Sequence, residues 1–256
     1  NLATMKSRLK SGNRAGAVLP FLRALEIQPH VAPETLELTG ENCLPENQSV
    51  ALLPELLPVW FDIENVAISK EQIASTKSIG PSLGRSIYLA SMQIELDQNN
   101  PAEALLDQIE TSKSKAAKLW SLVLRARMLQ RAGEHVQCQS LLDRNATKFT
   151  GDLRPVAIYY RALNDLLIQP KSARPNQTSD VQLSKTTLML LRIPAIYGKQ
   201  HPELAAAAIF QAAKIAKLRG RHQEAQKLTQ QLLQRHSHTY HGIIAALRAT
   251  RSPAQQ

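Results

Sequence analysis

Aromatic side chains are scarce in this 256-residue chain: two Trp, five Tyr and four Phe make up 4% of it, and glycine occurs only 10 times. Alanine, leucine and glutamine are abundant instead, a balance that favours helices and argues against a β-sandwich. The expected fold class is all-α. Cysteine is limited to Cys43 and Cys138, which fit no metal-ligand spacing and form no disulfide framework in a chain of this length, so both read as ordinary thiols. No run approaches the roughly 18 apolar residues that span a bilayer. The strings G-x-x-x-x-G-K-S/T, G-x-G-x-x-G, G-x-S-x-G and H-E-x-x-H are all missing, which removes the signatures of phosphate cradles, nucleophile elbows and zincins. A non-enzymatic protein without cofactor or metal is expected.

What is present suits an ordinary folded domain, with 43% hydrophobic and 20% charged residues. Asn1 begins directly in an apparent helical pattern without Met or a signal-like apolar region, which reads as a fragment or processed form, compatible with removal of an upstream targeting or anchoring segment. The compartment is left open, with the cytoplasm favoured. Three N-x-S/T triplets, at Asn47, Asn145 and Asn176, matter only in a secreted eukaryotic chain; with ten asparagines present, chance accounts for most of them.

One local pattern recurs. Gly12 with Ala17 and Phe21, Asn99 with Ala104, Gly133 with Cys138 and Leu142, and Gly220 with Ala225 each pair a turn residue with a small one five positions on. A turn between antiparallel helices wants a residue tolerant of positive φ, and close approach of the second helix wants a small side chain. Helical apolar spacing precedes the turns, with Leu122, Ala126 and Leu129 before Gly133, and Ile209, Ala213 and Ala216 before Gly220.

On these residues the chain resembles the tetratricopeptide repeat family, in a divergent form. Gly12, Ala17, Phe21, Ala24 and Pro29 match its turn glycine, second-helix alanine, bulky apolar residue, second alanine and closing proline, and Asn99 and Gly133 lie 34 residues apart. Departures are Gln108 at an apolar position, Asn145 at the second alanine, and Leu, Ile or Ala at most first-helix aromatic positions. The resemblance implies a right-handed α-α superhelix of about six antiparallel hairpins forming one domain over 1–251, with a frayed tail at 252–256. Degenerate repeats are expected near 45–78 and 153–193, with helices at Ser49–Phe61, Glu64–Thr76, Leu153–Ile168 and Ser179–Arg192, and a final helix near Tyr240–Arg248. The stretch from Gln169 to Thr178 is the clearest break. An irregular helical bundle is the alternative architecture.

The net charge of +10 is unevenly spread. Residues 1–33 carry five Lys/Arg and one acid, 34–110 three and thirteen, 111–203 fifteen and six, and 204–256 eight and one, giving nets of +4, −10, +9 and +7. The plain account is solvation of outer helix faces. The sharper one takes from the family resemblance that the first helix of each hairpin lines a concave groove. Carried through the turn residues, the groove positions are Lys6, Lys10, Gln93, Arg127, Arg131, Lys214 and Lys217, six of the seven cationic, and Trp120 aligns with the same surface. This is similar to the basic clamps by which some family members hold the carboxylates of an acidic peptide, so the expected partner is a protein or peptide segment, an acidic one where the clamp operates. The alternative partner is nucleic acid, tracked by Lys214, Lys217, Arg219, Arg221, Lys227 and Arg235, though few aromatics are available for stacking bases.

The remaining candidates favour bland roles. His236, His238 and His241 form the one ligand-like cluster, but on a helix only His238 and His241 share a face and no Cys, Asp or Glu lies close by, so a polar interhelix turn is expected. Glu34/Glu37 and Asp62/Glu64 lack neighbours that would separate their acid and base roles. Trp60, Phe61 and Trp120 are expected mainly as packing residues, Trp120 with a possible partner contact.

Overall fold

The computed structural model describes Ser7 and residues 83–168 and 177–251. Lys6, Lys10, the motif from Gly12 to Pro29, the helices expected at Ser49–Phe61 and Glu64–Thr76, and the tail after 251 lie outside the described residues. The described residues are helical with no strand, and neighbouring helices pack on one another. Contacts gather into two compact units, Asn1–Leu153 and Arg154–Gln256.

In the first unit, α1 (Leu83–Glu95) packs on α2 (Asn99–Glu110) and α3 (Lys115–Arg131), α2 packs on α3, and α3 on α4 (His135–Arg144). Ala102, Leu106 and Ile109 are buried at i, i+4 and i+7, so α2 lays a single apolar stripe against its neighbours. α3 is started by Ser114, whose hydroxyl accepts from the Ala117 N–H at 3.2 Å. Such a cap contributes about 1 kcal/mol by satisfying a donor the helix leaves unpaired.

The α3–α4 turn is built as expected. Gly133 sits at φ 77°, its N–H donates to the Gln130 carbonyl, and the Glu134 N–H donates to the Leu129 carbonyl at 2.9 Å. These paired bonds are a Schellman closure, which needs a left-handed residue after the helix end. Gly220, at φ 70°, repeats it with Gly220 N–H to Lys217 and Arg221 N–H to Ala216.

The α1–α2 turn has the same closure, with Asp97 N–H on Ile94 and Gln98 N–H on Gln93, but the left-handed residue is Asp97, at φ 57°. Asn99 is instead the first residue of α2. This corrects the expected register by two residues. Asp has a short polar side chain and tolerates the left-handed region better than most non-glycine residues, while Pro101 is harmless in a first turn whose N–H groups have no helical partner. Counting from Asp97, the small position falls on Ala102 and the bulky one on Leu106, both buried, whereas Ala104 and Gln108 are exposed. Gln108 is therefore no departure from the pattern. The distance between the two turns becomes 36 residues rather than 34.

The second unit holds α5 (Leu153–Ile168), which begins at the unit boundary, followed by α6 (Gln177–Tyr197), α7 (Pro202–Leu218), α8 (His222–Arg235) and α9 (Tyr240–Arg251). α7 packs on α6, α8 and α9, and α8 also packs on α9. Its run Leu204–Ile209 is entirely buried and mostly alanine, as suits a helix enclosed from several sides at close range. α5 covers the expected residues. α6 starts two residues earlier and ends five later than Ser179–Arg192, continuing through Pro194; its packing against α7 outweighs the lost backbone bond of an interior proline.

α9 receives an unusual start. Glu203, in the first turn of α7 and fully buried, accepts the Tyr240 N–H with both carboxylate oxygens, at 3.0 and 3.3 Å. Thr239 adds its hydroxyl as acceptor for the Gly242 N–H at 3.1 Å. A carboxylate at a helix N-terminus gains from the unpaired N–H groups and the helix dipole.

Candidate functional site: the cations and what they meet

Two sets of basic residues have to be distinguished, those already neutralised and those left open. In the first unit, every acidic residue of α1, α2 and the turn between them meets an arginine of α3. Arg127 donates from Nε and Nη2 to the two oxygens of Glu95, at 2.8 and 3.1 Å, and from Nη1 to the Gln130 side-chain oxygen at 2.6 Å. Arg131 donates to Glu95 at 3.1 Å and forms a two-pronged pair with Asp97 at 2.9 and 2.8 Å. Arg125 gathers Glu103, Asp107 and Glu110. Glu95 is the centre of the first network: its side chain is 5% exposed and receives three charge-assisted bonds.

Arg127 and Arg131 come together on Glu95 within their own unit. Gln93 and Trp120, 2% and 4% exposed, are packed inside and present no surface to a partner. Their burial follows from position, since α1 and α3 pack on each other and Gln93 was aligned through Asn99, which is not the turn residue. Cys138 is also buried; burial pushes its thiol up to about 12 against the opposing pull of the Arg127 charge, so it is protonated at neutral pH and serves packing.

The second unit has a different arrangement. Lys214 and Lys217 are exposed on α7, and among the described residues no carboxylate lies in ion-pair range of either. Lys214 Nζ stands 5.4 Å from the centre of the Phe210 ring, one helical turn before it. The exposed Arg248 of α9 reaches the same ring, with its guanidinium carbon 5.2 Å from the centre. The buried His241 packs against the same ring, its centre 5.3 Å away and its plane tilted by 52°. Two cations thus converge on one half-buried ring, each gaining about 0.5–1 kcal/mol from its π face, and neither has a described counter-ion.

Other members of the expected basic run are committed. Arg219 donates to both oxygens of Asp180, at 2.6 and 2.9 Å, and to the Ser184 hydroxyl at 2.8 Å, tying the start of α6 to the end of α7. The Arg219 bond is the leading cause that holds the Asp180 carboxyl below its ordinary range. Arg221 lies 3.6 Å from both Asp180 and Glu224. Lys227 and Arg235 are exposed on α8.

The histidine cluster separates differently from its expected facing: His236 and His241 are buried and His238 is exposed. His236 ends α8 and its carbonyl accepts the Thr239 hydroxyl at 2.6 Å. Burial first, then the charges of His238 and Arg235, lower its pKa. Among the described residues no group of three His, Cys, Asp or Glu is placed to hold a metal ion, and no helix is long and apolar enough to cross a membrane.

Phe210 and Arg248 were not singled out from sequence. Phe210 was legible, standing one turn before Lys214, but Arg248 joins it only through packing of α9 on α7. Comparison with protein-family models, curated proteins and solved structures finds no match.

Proposed function

We propose that the chain is a helical-repeat scaffold, tetratricopeptide-like in its turns, that binds an acidic segment of another protein and performs no catalysis. The observation that carries this reading is the convergence of Lys214 and Arg248 on Phe210 with Lys217 one turn further on α7. A carboxylate brought to Lys214 or Arg248 meets a cation with no described counter-ion, and the ring offers apolar contact beside it. The basic site is accordingly centred on α7 and α9, while Arg127 and Arg131 serve the packing of α1 against α3. A protein segment is favoured over nucleic acid because two of the six cations proposed to track phosphates, Arg219 and Arg221, already face carboxylates, and the sequence holds few aromatics for base stacking.

The test is fluorescence anisotropy with the whole chain and two labelled probes of equal charge, a twelve-residue Glu/Asp-rich peptide and a single-stranded oligonucleotide. The expected outcome at physiological ionic strength is saturable binding of the peptide that weakens as salt rises. Oligonucleotide binding at lower concentration than the peptide overturns the choice of partner.

A further inference from the structure

α6 has two apolar sides, and among the described residues only one is covered. Leu183, Thr186, Thr187, Leu190 and Ile193 are buried. On the opposite side Val181, Lys185, Leu188, Arg192 and Ala195 follow one another at spacings of four, three, four and three, with Ile196 beside the last. That spacing draws a nearly straight line along a helix. All are exposed, and the apolar ones heavily so: Val181 52%, Leu188 69% and Ile196 56%. Lys185 and Arg192 have no carboxylate in ion-pair range among the described residues. The one acid of α6, Asp180, is turned to Arg219 and Arg221.

We infer that this face of α6 is a docking stripe for an acidic amphipathic helix of a partner protein, one that sets apolar residues against Val181, Leu188 and Ile196 and carboxylates against Lys185 and Arg192. From Val181 to Ile196 the stripe runs about 22 Å, or four turns, at about 1.5 Å per residue, enough to hold a partner helix of similar length. Its chemistry follows from the interleaving. A helix that lies on a bilayer keeps its cations at the borders of an apolar sector, whereas here Lys185 and Arg192 stand in line between the apolar residues. A carboxylate-bearing helix neutralises each cation in place and covers the side chains between them. The stripe shares no residue with the Phe210 site and does not depend on it.

The experiment uses the whole chain and a labelled 21-residue designed helix with leucines at alternating three- and four-residue spacing and glutamates flanking them, beside the same peptide with lysine for glutamate. The expected result is binding of the glutamate peptide alone, lost at least tenfold in Leu188→Asp and in Lys185→Glu/Arg192→Glu, both unchanged in helicity because α6 keeps its buried side. The charge-reversed protein should instead take up the lysine peptide. The measurements are made in the Lys214→Glu/Arg248→Glu background, which removes the Phe210 ring as a competing site for glutamates, and the same binding and the same losses are expected there, so the two sites fail or stand separately. Equal binding of both peptides overturns the inference, as does unchanged affinity in the α6 variants. Co-sedimentation with phosphatidylserine-containing vesicles that is lost in Leu188→Asp also overturns it, and assigns the face to a membrane surface.

Discussion

Replacing Glu95 by Gln leaves the shape of the side chain nearly unchanged and removes the charge on which Arg127 and Arg131 converge. The carboxylate accepts three bonds of 2.8–3.1 Å at a side chain 5% exposed, and Arg127 is itself only 11% exposed. Breaking a buried pair by removing one partner costs about 3–5 kcal/mol, because the remaining charge is left without compensation. Arg127 keeps Gln130 and Arg131 keeps Asp97, which moves the expectation down to about 2–4 kcal/mol. With a urea slope of about 2 kcal/mol/M, the unfolding midpoint should fall by roughly 1–2 M. A double variant, Glu95→Leu/Arg127→Met, should recover at least half of that loss, since both charges go and apolar volume replaces them. A loss below about 0.5 kcal/mol in Glu95→Gln would refute the network and return Arg127 and Arg131 to the pool of cations open to a ligand.

Gly220→Ala should cost about 1 kcal/mol in urea unfolding: the added methyl meets nothing within 4 Å, so the penalty is that of an L side chain at φ 70°, and an unchanged midpoint would contradict the left-handed turn. His236 titrates below its ordinary value of 6.5 in the fold. The unfolded chain therefore takes up the proton more readily, and the stabilisation from this residue is complete above about pH 6.5 and is lost as pH falls toward the lower folded value. Melting temperature should drop less between pH 7.5 and 5.5 in His236→Asn than in the wild type; equal slopes would dismiss His236 as the source.

Much of the fold was legible where local chemistry decides it. Gly133 and Gly220 announce left-handed turns because no other residue enters that region as cheaply, and α5 is bounded by its own apolar period. The Asp97 turn escaped because Asn99, two residues on, belongs to the same class of turn-tolerant residues and gave a spacing of 34 that looked like a repeat. The left-handed φ of Asp97 and the bonds of Asp97 and Gln98 to Ile94 and Gln93 separate the alternatives.

The candidate site was less legible for a related reason. Charge counts by segment set an acidic stretch against a basic one, but Arg127 and Glu95 are 32 residues apart and Arg219 and Asp180 are 39 apart. Sequence supplies the charges; helix packing selects which of them cancel. Lys214 and Lys217 were named from register alone and stand exposed, whereas Gln93 and Trp120 were named by the same register and are buried. Arg248 could be joined to Phe210 only once α9 was placed on α7.

The most direct measurement is the dissociation constant of the Glu/Asp-rich peptide for the wild-type chain, for Lys214→Glu/Arg248→Glu and for Arg127→Gln/Arg131→Gln. The first variant should weaken binding at least tenfold with little change in melting temperature, and the second should lower stability while leaving the affinity of the folded protein as it was. Binding that survives reversal of Lys214 and Arg248, or that is lost with Arg127 and Arg131 in a chain still folded, would contradict the assignment of the acidic-segment site to the Phe210 ring.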